Sequence, residues 1–127
     1  RNIMLKYCTI MAPTVFGDPR GTIQSFFPDD HIVEYNLLTT LQGNERGYHY
    51  HPEFVEYIMV VAGVCNFTEY EVDCENTTVL NVGDSVRIPA YLPHSFKAVT
   101  DLRFVSMLTK RWDDCDVSLV TIRNNMT

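Results

Sequence analysis

Three histidines and one glutamate have the types and spacing to bind a single metal ion. His49 and His51 are separated by one residue, Glu56 begins the next predicted strand, and His94 begins a later one. Side chains of a β-strand alternate between its two faces, so His49 and His51 project to the same side. Imidazole nitrogens and a carboxylate oxygen form a mixed donor set that suits divalent Fe, Mn, Ni, Co or Zn. We therefore predict a divalent transition-metal site at His49, His51, Glu56 and His94.

The elements that must position these residues are predicted to be β-strands. Short runs rich in Val, Ile, Phe, Tyr and Thr alternate with Gly, Pro, Asn and Asp, whereas helical periodicity is scarce. Many short, closely spaced strands indicate a sandwich or a barrel. The predicted strands lie near residues 3–10, 21–27, 31–41, 46–51, 56–64, 65–72, 77–80, 84–88, 94–99, 102–109 and 116–122.

Length and composition indicate one globular domain that covers residues 1–127. Hydrophobic residues make up 46% of the chain and charged residues 20%, which is typical of a folded domain rather than a disordered one. The formal net charge is −6 and the basic residues are scattered, which argues against a nucleic-acid partner. No apolar run approaches the ~20 residues of a membrane span, so we expect no membrane partner either. A small-molecule substrate fits this composition.

The cysteines give limited information about the cellular compartment. They lack Cys-x-x-Cys spacing and are Cys8, Cys65, Cys74 and Cys115. We expect reduced thiols in a cytoplasmic protein, although four cysteines allow three disulfide pairings that the sequence does not distinguish. Three Asn-x-Thr sequences match the N-glycosylation pattern and keep a secreted origin open. They begin at Asn66, Asn76 and Asn125.

Two motifs in the chain resemble those of the cupin family. The family's first motif, G-x5-H-x-H-x(3,4)-E-x6-G, is matched in full by residues 43–63. The second, G-x5-P-x-G-x2-H-x3-N, is matched around His94, except that Tyr91 and Ala98 replace its later glycine and its asparagine. The resemblance implies an all-β fold, an antiparallel double-stranded β-helix (a jelly roll, or cupin barrel) with little helix. Tyr91 implies an altered loop at the pocket mouth.

A narrower resemblance concerns the reaction. The segments Asp18–Gly21 and Arg46–His49 are similar to the D-x-R-G and R-G-x-H elements of cupins that epimerise or isomerise 4-keto deoxysugar nucleotides. This implies an isomerase or epimerase that acts on a carbohydrate or sugar nucleotide by removing a proton next to a carbonyl. His49 and His51 are the candidate bases, and Arg46 is a candidate electrophile for the carbonyl oxygen. Strict alternation places Arg46 on the face opposite His49, so this role requires a β-bulge between them.

Other functions are consistent with the same residues. A redox-active ion such as iron, with two open coordination positions, would suit a metal-dependent oxygenase. A third function is a non-catalytic binder or sensor of a small ligand, and a vestigial site would keep the geometry without binding metal. If His49 and His51 are metal ligands, they are not free to act as bases. The identity of the metal and the uptake of O₂ therefore separate the oxygenase from the isomerase.

The segment 56–64 indicates how the domain assembles. Ile58 and Val60 fall on one face, Met59 and Val61 on the other, and all four are apolar. A strand with one face in water should alternate between apolar and polar residues. We therefore predict a homodimer formed by packing sheet on sheet, with an N-terminal strand or arm, residues 1–12, at the interface.

Overall fold

The computed structural model describes residues 5–122, and in this part of the chain nearly all regular structure is β-strand. One 3-10 turn, Trp112–Asp114, interrupts it. The strands are β1 (Thr9–Ile10), β2 (Thr14–Asp18), β3 (Gly21–Ser25), β4 (Glu34–Thr40), β5 (Glu45–Tyr50), β6 (Glu56–Ala62), β7 (Cys65–Tyr70), β8 (Glu75–Leu80), β9 (Ser85–Ile88), β10 (His94–Ala98), β11 (Leu102–Leu108) and β12 (Val120–Thr121).

Two five-stranded sheets form the body of the fold. The first has the order β1-β9-β6-β11-β4 and the second β12-β5-β10-β7-β8, while β2 and β3 pair with each other as a separate ribbon. Every pair is antiparallel. Because consecutive strands often lie in different sheets, this is the double-sheet jelly roll. The predicted fold class, all-β and antiparallel with little helix, is confirmed.

The hydrophobic core lies between the inner faces of the two sheets. Phe96 of β10 and Phe104 of β11 stack across the interface with ring centroids 4.9 Å apart. Phe67 of β7 and Ile58 of β6 are fully buried beside them. Side chains of this kind stabilise the folded state by about 1.5–3 kcal/mol each when they leave water. The core thus joins the sheets along one side of the space that contains the histidines.

Three parts of the predicted strand pattern were wrong. Among the described residues, the strand predicted at 3–10 is reduced to Thr9–Ile10. Residues 14–18 form β2, which was not predicted, and pair with β3 in a hairpin. The strand predicted at 116–122 is reduced to Val120–Thr121. Side chains make the hydrogen bonds that a longer strand would make with a neighbouring strand. The Val117 N–H donates to the Glu53 carboxylate at 2.5 Å, and the Ser118 carbonyl oxygen contacts the ring of His51.

The N-terminal segment docks on its own chain. The backbone N–H groups of Lys6, Tyr7 and Cys8 donate to the buried Glu69 carboxylate at 2.6, 3.2 and 2.9 Å. Thr9–Ile10 then pairs with β9 at the edge of the first sheet. Residues 1–4 of the predicted arm, and the Asn-x-Thr sequence at 125–127, lie outside the described residues.

The four cysteines differ in how far they are buried. All four are free. Cys8 and Cys65 are buried, and burial raises the pKa of both thiols, that of Cys65 to about 12.

Asn76, in one Asn-x-Thr sequence, donates its amide to Glu69 and Glu71 at 2.8 and 3.0 Å, so its nitrogen is engaged within the fold. No helix of the described residues is long and apolar enough to cross a membrane.

Two glycines with the same backbone angle provide a test of the packing between strands. Gly63 and Gly43 both have φ +84, but a Cβ on Gly63 would collide with the Asp101 carbonyl oxygen, whereas one on Gly43 would meet nothing within 4 Å. We expect Gly43→Ala to lower the free energy of unfolding by about 1–2 kcal/mol, which is the cost of a left-handed backbone for a residue with a Cβ. Gly63→Ala should cost about 3 kcal/mol or more, because the backbone must also move. Urea unfolding measures both, and equal midpoints would contradict this turn geometry.

Candidate functional site

A cavity of about 570 Å³ opens between the two sheets. Apolar side chains form much of its wall, and polar groups are concentrated at one end and at the rim, the arrangement typical of small-molecule sites. The lining residues are Asn36, Leu38, Glu45, Arg46, Gly47, His49, His51, Phe54, Glu56, Phe96, Phe104, Ser106, Leu108 and Trp112.

The structure brings the three predicted histidines together. His49 on β5 is the cross-strand partner of His94 on β10, and His51 follows directly after β5. The ring centroids are 4.6 Å apart for His49 and His51, 5.1 Å for His49 and His94, and 5.3 Å for His51 and His94. One ring nitrogen from each lies within 4.8 Å of the others. His94 is fully buried behind the cavity wall, whereas His49 is half-buried and faces the cavity.

Glu56 reaches this cluster from the opposite sheet. It begins β6, and its Oε1 lies 3.3 Å from His51 Nε2 and 3.5 Å from His94 Nε2. Its other oxygen, Oε2, accepts a hydrogen bond of 2.6 Å from the Ser106 hydroxyl. The predicted carboxylate therefore contacts two of the three histidines directly.

The hydrogen bonds of two histidines determine which ring nitrogens face Glu56. His51 Nδ1 lies 2.8 Å from the Ser118 carbonyl oxygen, and His94 Nδ1 lies 2.8 Å from that of Leu92. A carbonyl oxygen only accepts, so each Nδ1 carries the hydrogen and a neutral ring directs an Nε2 lone pair at the carboxylate. Charge-assisted hydrogen bonds are typically about 2.7–2.9 Å long, shorter than either contact. Glu56 Oε1 and His94 Nε2 are accordingly buried without a hydrogen-bond partner.

These converging lone pairs create a place for a cation. Metal-binding histidines characteristically donate their other ring N–H to a backbone carbonyl or a carboxylate, as His51 and His94 do here. The donor set of imidazole nitrogens and one carboxylate oxygen is that of Fe, Mn, Ni, Co and Zn sites. The residues therefore fit a divalent transition-metal ion, with His51, His94 and Glu56 as the core of the site and His49 in the same cluster.

Burial and neighbouring groups set the charges in the cavity. Burial raises the pKa of Glu56, whereas the hydrogen bonds and positive charge that His51 and His94 provide when their rings are protonated lower it below its usual value. A divalent cation between these groups would replace that proton and keep the carboxylate ionised. Burial, and then the neighbouring imidazoles of His94 and His51, lower the pKa of His49 to about 3. His49 is neutral at physiological pH, as both a metal ligand and a proton acceptor must be.

A β-bulge places Arg46 at the cavity. The pairing of β5 with β10 shifts register so that Tyr48 is an extra residue in β5, with φ +57. Gly47 has φ +104, and a Cβ there would lie 2.7 Å from the His94 carbonyl oxygen, so the bulge requires glycine. Arg46 then pairs with Phe96, whose side chain faces inward, and lines the cavity together with His49. The bulge that the predicted role of Arg46 requires is present.

The guanidinium of Arg46 is anchored at the rim. Its Nε donates to Thr40 Oγ1 at 2.7 Å and its Nη2 to the Thr39 carbonyl oxygen at 2.8 Å. The arginine of the other Arg-Gly element, Arg20, does not reach the cavity of its own chain. It lies at the β2–β3 turn and pairs with Asp18 at 2.6 Å.

Tyr91 does not line the cavity. It holds φ +67, in the left-handed region that glycine favours, and its ring stacks on Tyr50 with centroids 5.9 Å apart. Its N–H donates to the His51 carbonyl oxygen at 2.9 Å, which ties this loop to the end of β5. The prediction that Tyr91 alters the pocket mouth is therefore wrong: its backbone adopts the left-handed conformation of the glycine that it replaces, and its ring lies outside the cavity.

Two residues of the site were missed by the sequence analysis. Ser106 lies between Phe104 and Leu108 among the side chains of β11 that point inward. A polar residue among apolar ones on the buried face of a strand is the pattern that could have indicated it. Trp112, the chain's single tryptophan, lies on the 3-10 turn and lines the cavity. Its ring is 6.0 Å from that of His51.

Comparison with known families and structures agrees with this architecture. A family model described as a cupin domain matches residues 37–108, more than half of the chain. A comparison with curated protein sequences found no significant match.

Solved structures with the same fold include sugar-modifying enzymes. A 3,4-ketoisomerase from Helicobacter canadensis is 13% identical, with 89% of each chain covered and a TM-score of 0.78. A dTDP-6-deoxy-D-glucose-3,5-epimerase from Legionella pneumophila is 19% identical, with 98% of this chain and 77% of that chain covered and a TM-score of 0.76. A dTDP-4-dehydrorhamnose 3,5-epimerase from Sulfolobus tokodaii is 21% identical, with 87% and 74% covered and a TM-score of 0.71. At these identities the similarity shows a common fold.

Proposed function

The chain belongs to the cupin domain family, and from this premise we propose that it is a metal-binding isomerase or epimerase of a carbohydrate or sugar nucleotide. The observation that carries the proposal is the convergence of His51 Nε2, His94 Nε2 and Glu56 Oε1 beside a cavity for a small molecule. The similarity in fold to sugar 3,4-ketoisomerases and 3,5-epimerases supports the type of reaction.

In this proposal His51, His94 and Glu56 hold the divalent ion. Two neutral nitrogens and one negative oxygen leave coordination positions free for oxygen atoms of a substrate. A bound ion would supply Lewis-acid polarisation of the carbonyl next to the reacting carbon. The chain's own contribution is the fixed orientation of these three side chains, since each is held by a hydrogen bond on the side away from the cluster.

We assign the proton-accepting role to His49. It is neutral, it faces the cavity, and the described residues give its ring no hydrogen-bond partner, so a ring nitrogen is available to a substrate C–H. A positioned general base contributes about 10²–10⁴-fold to proton abstraction. Arg46, anchored at the rim, supplies positive charge for an anionic part of the substrate. His49 and the metal ligands then have separate tasks.

The first prediction from the proposed function concerns the ion. Protein purified without a histidine tag should contain close to one divalent metal per chain by elemental analysis. An ion at a hundredfold excess over Kd stabilises the folded state by about 2.7 kcal/mol, which is roughly 10 °C in Tm for a domain of this size. A chelator should therefore lower the Tm of the wild type, but not that of Glu56→Gln, which has lost the negative ligand.

Glu45→Gln is the matched control, because Glu45 also lines the cavity but lies at the exposed rim. It should respond to the chelator as the wild type does. Equal shifts in the wild type and Glu56→Gln, or no shift in either, would remove Glu56 from the ligand set. Less than a tenth of an ion per chain, unrecovered on soaking, would leave a metal-free site.

The second prediction separates the two uses of His49. His49→Gln should retain the metal but lose solvent deuterium exchange into a 4-keto sugar nucleotide by about 10²-fold or more, because the base is gone. Exchange is followed by mass spectrometry. His31→Gln, a change at an exposed histidine outside the cavity, should exchange at the wild-type rate. Loss of metal in His49→Gln would instead make His49 the fourth ligand predicted from the sequence.

Metal analysis and O₂ uptake, measured with the same protein and substrate, test the other functions. Two histidines and one carboxylate are also the ligand set of non-haem iron oxygenases, so iron accompanied by substrate-dependent O₂ uptake would replace the isomerase with an oxygenase. A ligand that binds without exchange or O₂ uptake would indicate a non-catalytic binder.

We also propose that the domain forms a homodimer through the outer face of the first sheet. Tyr35 and Leu37 of β4 and Val61 of β6 are 77%, 53% and 41% exposed there. The β2–β3 ribbon, which pairs with neither sheet, exposes Phe16 and Ile23 at 61% each. Exposed apolar surface of this kind typically marks an interface, and a second copy is the commonest partner.

The third prediction places a charge in that face. Light scattering at tens of micromolar should give a dimer mass for the wild type and a monomer mass for Leu37→Asp, because a buried unpaired carboxylate is costly. Val79→Asp, at a position 47% exposed on β8 of the other sheet, is the control and should remain dimeric. A monomeric wild type would contradict the interface.

A further inference from the structure

The position of Ser106 on β11 brings its side chain to the carboxylate of Glu56. Leu108 of β11 is the cross-strand partner of Glu56, and Ser106 is the partner of Ile58. Ser106 and Glu56 are therefore diagonal neighbours on the inner face, a separation that a long side chain spans. Both are almost fully buried, with exposures of 5% and 7%.

The hydrogen bond between them has a fixed direction. A carboxylate that binds a cation only accepts hydrogen bonds, so the Ser106 hydroxyl donates to Glu56 Oε2. The distance of 2.6 Å falls in the range of a charge-assisted O–H···O⁻ bond, about 2.5–2.7 Å. With Oε2 engaged on the Ser106 side, the other oxygen, Oε1, is left facing His51 Nε2 and His94 Nε2.

We propose that Ser106 is a positioning residue of the metal site, which fixes the plane of the Glu56 carboxylate so that one oxygen faces the ion; this inference rests on the proposed metal-binding function. The terminal torsion of a glutamate is broad and roughly twofold, so an unrestrained carboxylate turns. The Ser106 hydroxyl restricts that rotation. Residues that orient a metal ligand in this way typically contribute about 10–100-fold to metal affinity.

Metal affinity can be read from Trp112. Its ring lies 6.0 Å from the ring of His51, and the chain has no other tryptophan, so a paramagnetic ion such as Ni²⁺ or Co²⁺ bound at His51 should quench its fluorescence. Titration of metal-stripped full-length protein with Ni²⁺ then gives Kd without any measurement of activity.

Three variants isolate the contribution of the hydroxyl. Ser106→Ala should bind Ni²⁺ about 10–100-fold more weakly than the wild type. Ser106→Thr keeps the hydroxyl and suits a strand, and Ser106 lines a cavity that has room for an extra methyl, so this variant should restore the affinity. Ser85→Ala is the matched control: Ser85 is also buried, donates at 2.8 Å to the Ile58 carbonyl oxygen, and does not line the cavity. Its Kd should equal that of the wild type.

The outcomes distinguish this inference from the proposed function. If the wild type binds Ni²⁺ and Ser106→Ala binds it equally well, the positioning role is overturned and the metal site stands. If Ser106→Ala and Ser85→Ala weaken binding alike, the effect is a general loss of buried hydrogen bonds, and the positioning role is again overturned. If the wild type binds no ion, both are overturned. Circular dichroism of each variant confirms that it is folded.

Discussion

The approach of one ionised carboxylate oxygen to two lone-pair nitrogens is the contact on which the site depends. Glu56 Oε1 and His94 Nε2 are buried without hydrogen-bond partners, which costs about 1–3 kcal/mol for each group. The remaining polar atoms around them are satisfied: Glu56 Oε2 by Ser106, and the Nδ1 atoms of His51 and His94 by backbone carbonyls. Among the described residues, the fully buried side-chain atoms left without a hydrogen bond are Glu56 Oε1 and His94 Nε2, and a single cation between them would satisfy both.

The bulge in β5 determines how this cluster meets the rest of the cavity. Without the extra residue Tyr48, alternation would direct Arg46 away from His49, and the positive charge would lie on the outer surface. The bulge requires two left-handed residues in succession, and the fold compensates at each. Gly47 has no Cβ to meet β10, and the Tyr48 ring is buried on the outer face, where it packs against Tyr70 and its hydroxyl donates to Glu45 at 2.9 Å.

Local periodicity predicted the histidines of the site better than the residues that hold the site in place. Strand alternation and motif spacing were enough to predict that His49, His51 and His94 meet, because the pleat fixes the faces and the ligand types carry the chemistry. Ser106 depends on the register between β6 and β11, which are far apart in sequence, and a single sequence does not state that register. The strand predicted at 116–122 failed for a similar reason, since the long-range side-chain contacts of its backbone groups are invisible to a local pattern.

The three histidines are not equivalent, and the difference follows from which backbone carbonyls lie near them. His51 and His94 are each fixed in one tautomer by a carbonyl, which suits a static ligand because the same nitrogen must always face the ion. His49 receives no such bond from the described residues and lies closer to the cavity, so either of its nitrogens can take up a proton and release it again. A single base removes and returns protons on one face of the substrate, so inversion at a carbon would also need a proton donor on the opposite face. In the proposed reaction His51 and His94 thus bind the ion and His49 transfers the proton, although all three come from two neighbouring antiparallel strands and the turn that follows one of them.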